Sequence, residues 1–186
     1  MHSKIFLLGL FFFLLIGETY SQTLSRPEKW AKPVSAELLM NFYRLNQDVF
    51  RSRQPNRAAF EALEKMGIQS VLNLRTSFAD KKLIKGLSFH YYQVPMSPDR
   101  ITTEQLVEAL KVLKDAPKPI LVHCVHGADR TGAVIAMYRI IFEGWTKQEA
   151  LDEMIKGGYR FHDVYLNIPR LIREVEIDSI RKELCI

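Results

Sequence analysis

An α/β fold, a single three-layer domain with a central mostly parallel sheet flanked by helices, is predicted from three observations. Short apolar runs alternate with segments whose apolar residues recur at helical spacing. Proline, glycine or a capping residue marks nearly every junction between them. No internal repeat or low-complexity tract competes with that reading.

The elements follow in order. A short strand lies around Val49 to Arg51, a helix runs from Arg57 to Met66 and is stopped by Gly67, and a strand covers Gln69 to Leu74. A third strand spans Ser88 to Val94. After Pro95 and Pro98, Thr102 or Thr103 caps a helix carrying Leu106, Val107, Leu110 and Leu113 on one face, and Pro117 and Pro119 end the turn beyond it. Ile120 to His123 reads as a buried strand. Past a glycine-containing loop, Thr131 to Phe142 is apolar enough for a central helix. Thr146 with Glu149 forms a capping box for another helix, which ends at Gly157-Gly158. A last helix carries Ile168, Leu171, Ile172 and Val175.

Composition sets the outer bounds. With 47% hydrophobic and 25% charged residues, 9 glycines and 8 prolines, the 186-residue chain is no disordered, collagenous, coiled-coil or disulfide-scaffold protein. The balance of 26 Lys and Arg against 21 Asp and Glu, +5, favours anionic ligands weakly and calls for no nucleic acid. Two cysteines, Cys124 and Cys185, are too few for a disulfide framework or a four-cysteine zinc site.

Residues 1–21 read as a signal peptide: Lys4 supplies positive charge, Ile5 to Ile16 is almost unbroken apolar, and Thr19-Tyr20-Ser21 offers a small-residue cut before Gln22. The apolar run of 12 residues falls short of the roughly 20 that a membrane-spanning helix needs, so no stable membrane anchor is expected. The protein is expected to be exported, periplasmic or secreted, and the cut before Gln fits a Gram-negative bacterium. Residues 22–33, polar with Pro27 and Pro33, read as an N-terminal arm, and one domain occupies 34–186.

The chemistry concentrates in His123-Cys124-Val125-His126-Gly127-Ala128-Asp129-Arg130-Thr131-Gly132, between the buried strand and the central helix. A loop entering a helix N-terminus offers unpaired N–H groups and the positive end of the helix dipole, which together bind an anion. Gly127 lets the loop curl, and Arg130 closes the ring with a planar fork suited to two phosphate oxygens. The same groups favour the thiolate of Cys124, the form that attacks, and Thr131 can donate its hydroxyl to the sulfur.

His-Cys-x-x-Gly-x-x-Arg-Thr-Gly resembles the signature of the cysteine-dependent protein tyrosine and dual-specificity phosphatase superfamily. Phe50-Arg51-Ser52-Arg53-Gln54-Pro55 and Met66-Gly67-Ile68-Gln69-Ser70-Val71-Leu72-Asn73-Leu74-Arg75 resemble the opening of its atypical bacterial, plant and fungal branch, so the likeness covers about 45–160. The resemblance implies a phosphatase domain over 34–186 with Cys124 as nucleophile and Arg130 as phosphate clamp. The backbone of Val125, His126, Gly127, Ala128 and Asp129, with Thr131, would hold substrate, and His123 would support the thiolate. No metal and no cofactor is implied. Substrates would be a phosphorylated protein, phosphotyrosine or dual-specificity, or a small phosphomonoester, with an inositol phosphate or phospholipid as the alternative. The protein would act as a monomer.

A general acid is also needed. Asp99, in Pro95-Met96-Ser97-Pro98-Asp99-Arg100 at the carboxyl end of a predicted strand, is preferred, although 25 residues to Cys124 is a short gap for the family. Asp129, beside Arg130, is the alternative acid. His123, Cys124, His126 and Asp129 crowd one tight loop and do not follow zinc spacing. Arg44, Arg51, Arg53 and Arg57 read as a solvated basic surface, and Tyr91 and Tyr92 as packing residues. A rhodanese-type sulfurtransferase has a loop usually one residue shorter than the five between Cys124 and Arg130. A non-catalytic phosphate-binding module would have lost the nucleophile.

Overall fold

The computed structural model describes residues 26–186, so the predicted leader and the start of the arm lie outside the described residues. In chain order the strands are β1 (Lys32–Pro33), β2 (Tyr43–Arg44), β3 (Val49–Ser52), β4 (Ser70–Asn73), β5 (His90–Gln93) and β6 (Ile120–His123). The helices are α1 (Arg57–Lys65), α2 (Asp80–Leu83), α3 (Thr103–Asp115), α4 (Asp129–Phe142), α5 (Lys147–Lys156), α6 (Asn167–Glu174) and α7 (Ile177–Glu183). A 3-10 turn, Pro98–Arg100, precedes α3.

The sheet runs β1-β2-β3-β6-β4-β5, with β1 and β2 antiparallel and the other four parallel, which is the mixed, mostly parallel sheet expected. Register decides where function sits. Ser52 and Asn73 both face His123, and Gln93 faces Asn73, so four strands end level and their following loops emerge at one edge. Alternate residues divide the core: Leu121 and Val71 pack under Phe60 and Leu63 of α1, while Val122 and Leu72 pack against Leu110, Val134 and Met137 of α3 and α4.

Local chemistry explains most boundaries. Asn56 caps α1 by accepting from Ala59 N at 2.8 Å, Gly67 takes φ 85° just beyond it, and full capping boxes start α3 (Thr102/Gln105) and α5 (Thr146/Glu149). Central α4 begins at Asp129, two residues before the expected start, because Gly132 N donates to Ala128 O at 2.7 Å and closes a first turn. The expected last helix is α6, which stops before Val175 turns extended, and α7 follows it with no counterpart in the sequence expectation. Residues 26–33 pack on the domain, with Ala31 N donating to Glu153 at 2.6 Å and Arg26 to Gly157 O at 2.6 Å. Among the described residues no helix is long and apolar enough to cross a membrane.

Candidate active site

The loop Cys124–Ala128 leaves β6 at the level edge and enters α4. Each of its carbonyls is taken from outside. His123 Nδ1 lies 3.2 Å from Cys124 O, Gln54 N donates to Val125 O (3.2 Å), and Asn41 Nδ2 to His126 O (2.9 Å). Arg51 Nη2 donates to Gly127 O (2.7 Å) and Gly132 N to Ala128 O (2.7 Å). Among the described residues, no group accepts from the amides of Val125, His126, Gly127, Ala128, Asp129 or Arg130. Consecutive amides freed in this way at a helix N-terminus form an anion-binding nest.

Within that frame Cys124 is 1% exposed and is a free thiol, as is exposed Cys185. Arg130 donates from Nη1 to Met96 O at 3.3 Å, while its buried Nε has no partner among the described residues. An unpaired buried donor costs about 1–3 kcal/mol, and an oxyanion in the nest removes that cost. The Thr131 hydroxyl, fully buried, also lacks a partner among the described residues, so the bond to sulfur expected from the sequence is not made.

Arg51 departs from the expected solvated surface. It is 1% exposed, and its guanidinium carbon lies 3.6 Å from the Tyr159 ring centroid. Burial lowers its pKa, an effect opposed first by Tyr159 and Glu153. Tyr159 in turn donates to Glu153 Oε1 (3.0 Å), which Arg139 holds through Nε to Oε2 (2.9 Å). Arg51 is thus a buried strut for the loop. The other members of that cluster stay exposed, Arg57 pairing with Glu61 and Arg53 facing the rim.

His123 is wholly buried. Because a carbonyl only accepts, its Nδ1 carries the proton shared with Cys124 O. Its Nε2 lies 3.1 Å from Asp80 Oδ2, within ion-pair range though not aligned as a hydrogen bond. Asp80 is also fully buried, accepting from Gln54 Nε2 at 2.8 Å, with Arg75 Nη1 at 3.7 Å. Sequence reasoning passed over Asp80 because Ala79-Asp80-Lys81-Lys82 has the look of a charged surface turn.

The two acid candidates differ sharply. Asp99 is exposed in the 3-10 turn, where the hydroxyl of Ser97, a backbone amide and Arg100 hold its carboxyl below the usual range. The turn borders the nest through the Arg130–Met96 bond and is tied to α6 by Asn167 Nδ2 donating to Pro98 O at 2.9 Å. Asp129 is 5% exposed, and both its oxygens face His162: the backbone N reaches Oδ1 at 2.9 Å and ring Nδ1 reaches Oδ2 at 2.8 Å. Residue 162, 33 positions away, carried no signal in the sequence. Tyr91 and Tyr92 are half-buried packing residues, as expected, and Tyr91 OH accepts from Asn73 Nδ2 at 2.9 Å. Beside the nest lies a cleft of about 350 Å³, bordered by Arg53, His126, Arg160 and His162.

Comparison with known proteins agrees with this geometry. Residues 38–164 match the tyrosine phosphatase family. The dual specificity protein phosphatase TpbA of Pseudomonas aeruginosa is 30% identical over 173 residues, 91% of this chain and 78% of that protein. Inositol diphosphatase DSP2 of Oryza sativa is 29% identical over 126 residues, 61% of this chain and 60% of that protein. The crystal structure of TpbA superposes with TM-score 0.78 at 29% identity, covering 87% of this chain and all of the other. The catalytic core of Siw14 from Saccharomyces cerevisiae, 24% identical with TM-score 0.70 over 81% of this chain and 94% of that one, shares the fold. With a family match across most of the domain and a thiol and an arginine set in one nest, the chain belongs to the tyrosine phosphatase family and is a cysteine-dependent phosphatase.

Proposed function

We propose that this chain hydrolyses phosphotyrosine and related aryl phosphomonoesters through a cysteinyl-phosphate intermediate. The observation that carries the reading is the run of unpartnered amides from Val125 to Arg130, curled above a buried thiol. Those amides and Arg130 hold the three equatorial phosphate oxygens while the Cys124 thiolate attacks phosphorus in line. The P–O bond to the leaving group breaks as the P–S bond forms, and Asp99 protonates the departing oxygen. Water, losing its proton to the same aspartate, then displaces sulfur and releases phosphate. Asp99 is preferred over Asp129 because both oxygens of Asp129 are engaged by His162, while Asp99 projects from the segment that Arg130 touches. A TpbA variant has been crystallised with phosphotyrosine, which supports an aryl phosphate here.

A second reading, a polyphosphorylated inositol, is favoured by one feature. The cleft beside the nest presents Arg53, Arg160 and two histidines, which can hold further phosphates. Against it, Val125, His126 and Ala128 bring no lysine into the loop. The test is hydrolysis of an aryl phosphate in EDTA by the parent protein and by Cys124→Ser, followed by a panel of phosphotyrosine peptide, phosphoserine peptide and inositol polyphosphates. Cys124→Ser is expected to abolish turnover, and residual activity at the parental rate would overturn the mechanism. Export belongs to the same proposal, and recovery of the protein from the cytosolic fraction of its cell would refute it.

A further inference from the structure

We propose that His126, Asp129 and His162 form an inhibitory binding site for a divalent transition metal of the zinc type at the mouth of the phosphate nest. One ligand atom from each lies within 4.8 Å of the other two. Two imidazoles and a carboxylate suit zinc and its neighbours, which prefer nitrogen donors and accept three protein ligands plus an open position. The spacing also fits such sites: two ligands stand three residues apart where the loop enters α4, and the third comes from 33 residues further on.

Two of the donors already meet, His162 Nδ1 lying 2.8 Å from Asp129 Oδ2 in a hydrogen bond that the ion would replace. His162 backbone N donates to Asp129 Oδ1 at 2.9 Å, which fixes the carboxylate through its other oxygen. Asn41 Nδ2 donates to His126 O at 2.9 Å and fixes that residue while its ring stays exposed. The two imidazoles face each other with centroids 5.2 Å apart. Metal bonds of about 2.1 Å bring tetrahedral donors to roughly 3.4 Å from one another, so closure from 4.8 Å asks for up to about 1.4 Å of movement, which the exposed His126 ring can supply. His162 Nδ1 would exchange its proton for the ion, and the proton reappears on Nε2 by tautomerisation.

Inhibition follows from placement. His126 and Asp129 belong to the segment that receives phosphate, and an ion bridging them to His162 would pin that segment and occupy the rim of the cleft beside it. Arg53 and Arg160 border the same cleft and repel an isolated cation, so affinity depends on all three donors acting together.

A thiolate is itself a zinc ligand, so the decisive measurement removes it. Calorimetric titration of Cys124→Ser with ZnCl2 in phosphate-free buffer is expected to show one site. His162→Ala or His126→Ala added to that background should weaken binding at least about tenfold, since each removes one of three ligands. In the active enzyme zinc should inhibit reversibly, EDTA should restore the rate, and His162→Ala should raise the half-inhibitory concentration by a similar factor relative to its own zinc-free rate. His162→Gln, with circular dichroism, controls for folding. Zinc binding by the parent that disappears in Cys124→Ser assigns the ion to the thiolate and overturns the proposal, as does parental affinity in both histidine variants. The calorimetric arm needs no catalysis, so its failure is separable from failure of the proposed activity.

Discussion

Arg51 and Gly127 are joined across the back of the nest. The Arg51 guanidinium donates to Gly127 O at 2.7 Å, while Gly127, at φ 71°, lies so close to β3 that a Cβ there would come within 2.4 Å of Ser52 O. One peptide is therefore held from two directions, by a hydrogen bond that turns its carbonyl outward and by a contact that excludes any side chain. The amide that remains faces the anion.

Gly127→Ala is expected to lower kcat/KM for an aryl phosphate by about 100-fold, because the 2.4 Å contact forces the loop off position and misplacement near 1 Å costs that much. Steady-state kinetics, with circular dichroism to confirm the fold, check this. Activity equal to the parent's would show that the loop tolerates a different path.

The acid is read from leaving-group and pH dependence. Asp99→Asn should slow an alkyl phosphate by about 10²–10⁴-fold and an activated aryl phosphate much less. Hydrogen bonding from Ser97 lowers the Asp99 pKa, so the protonated form is lost early as pH rises. The parental rate on the alkyl phosphate should accordingly fall with increasing pH, and Asp99→Asn should remove that fall. The same behaviour in Asp129→Asn, with Asp99→Asn unaffected, would assign the acid to Asp129.

Asp80→Ala leaves buried His123 Nε2 without its facing carboxylate and removes the charge beside Arg75. The change also takes the acceptor from Gln54 Nε2, and each buried polar group left unpaired costs about 1–3 kcal/mol, so the melting temperature should drop. Asp80→Asn, which keeps the Gln54 contact, should lose less. An unchanged melting temperature in Asp80→Ala would show that the pair is not coupled to folding.

Glu149 links pH to stability at the N-terminal arm. Hydrogen bonding from Lys29, then from Thr146, holds its carboxyl down to about 2. A carboxyl depressed in the folded state stabilises above its unfolded pKa of about 4.3, and that stability is lost as pH falls toward 2. Melting temperatures measured from neutral pH down to that range should show a smaller loss in Glu149→Gln than in the parent.

The strand and helix order was legible because its signals are local. The capping boxes at Thr102 and Thr146, the stop at Gly67 and the apolar run Ile120–Leu121–Val122 each act within a few residues. The two-residue strands β1 and β2 and the four-residue α2 escaped, since none is long enough to show a period, and their place comes from pairing or packing. The nest was legible for the same reason as the caps: Cys124, Gly127 and Arg130 lie within seven residues, so their spacing alone describes a curl around one anion.

What surrounds the nest was set by folding. Arg51 looked like one member of a surface cluster, Asp80 like a turn residue and His162 like nothing in particular. Parallel register brings the ends of β3, β4 and β6 level, which places Arg51 behind Gly127 and Asp80 beside His123, and the chain after α5 returns His162 to Asp129. Burial changes what these charges do, since a guanidinium or carboxylate removed from water must be paired and so becomes a fixed strut. A residue's partners across 30 or 80 positions are properties of the packed sheet, and no local pattern encodes them.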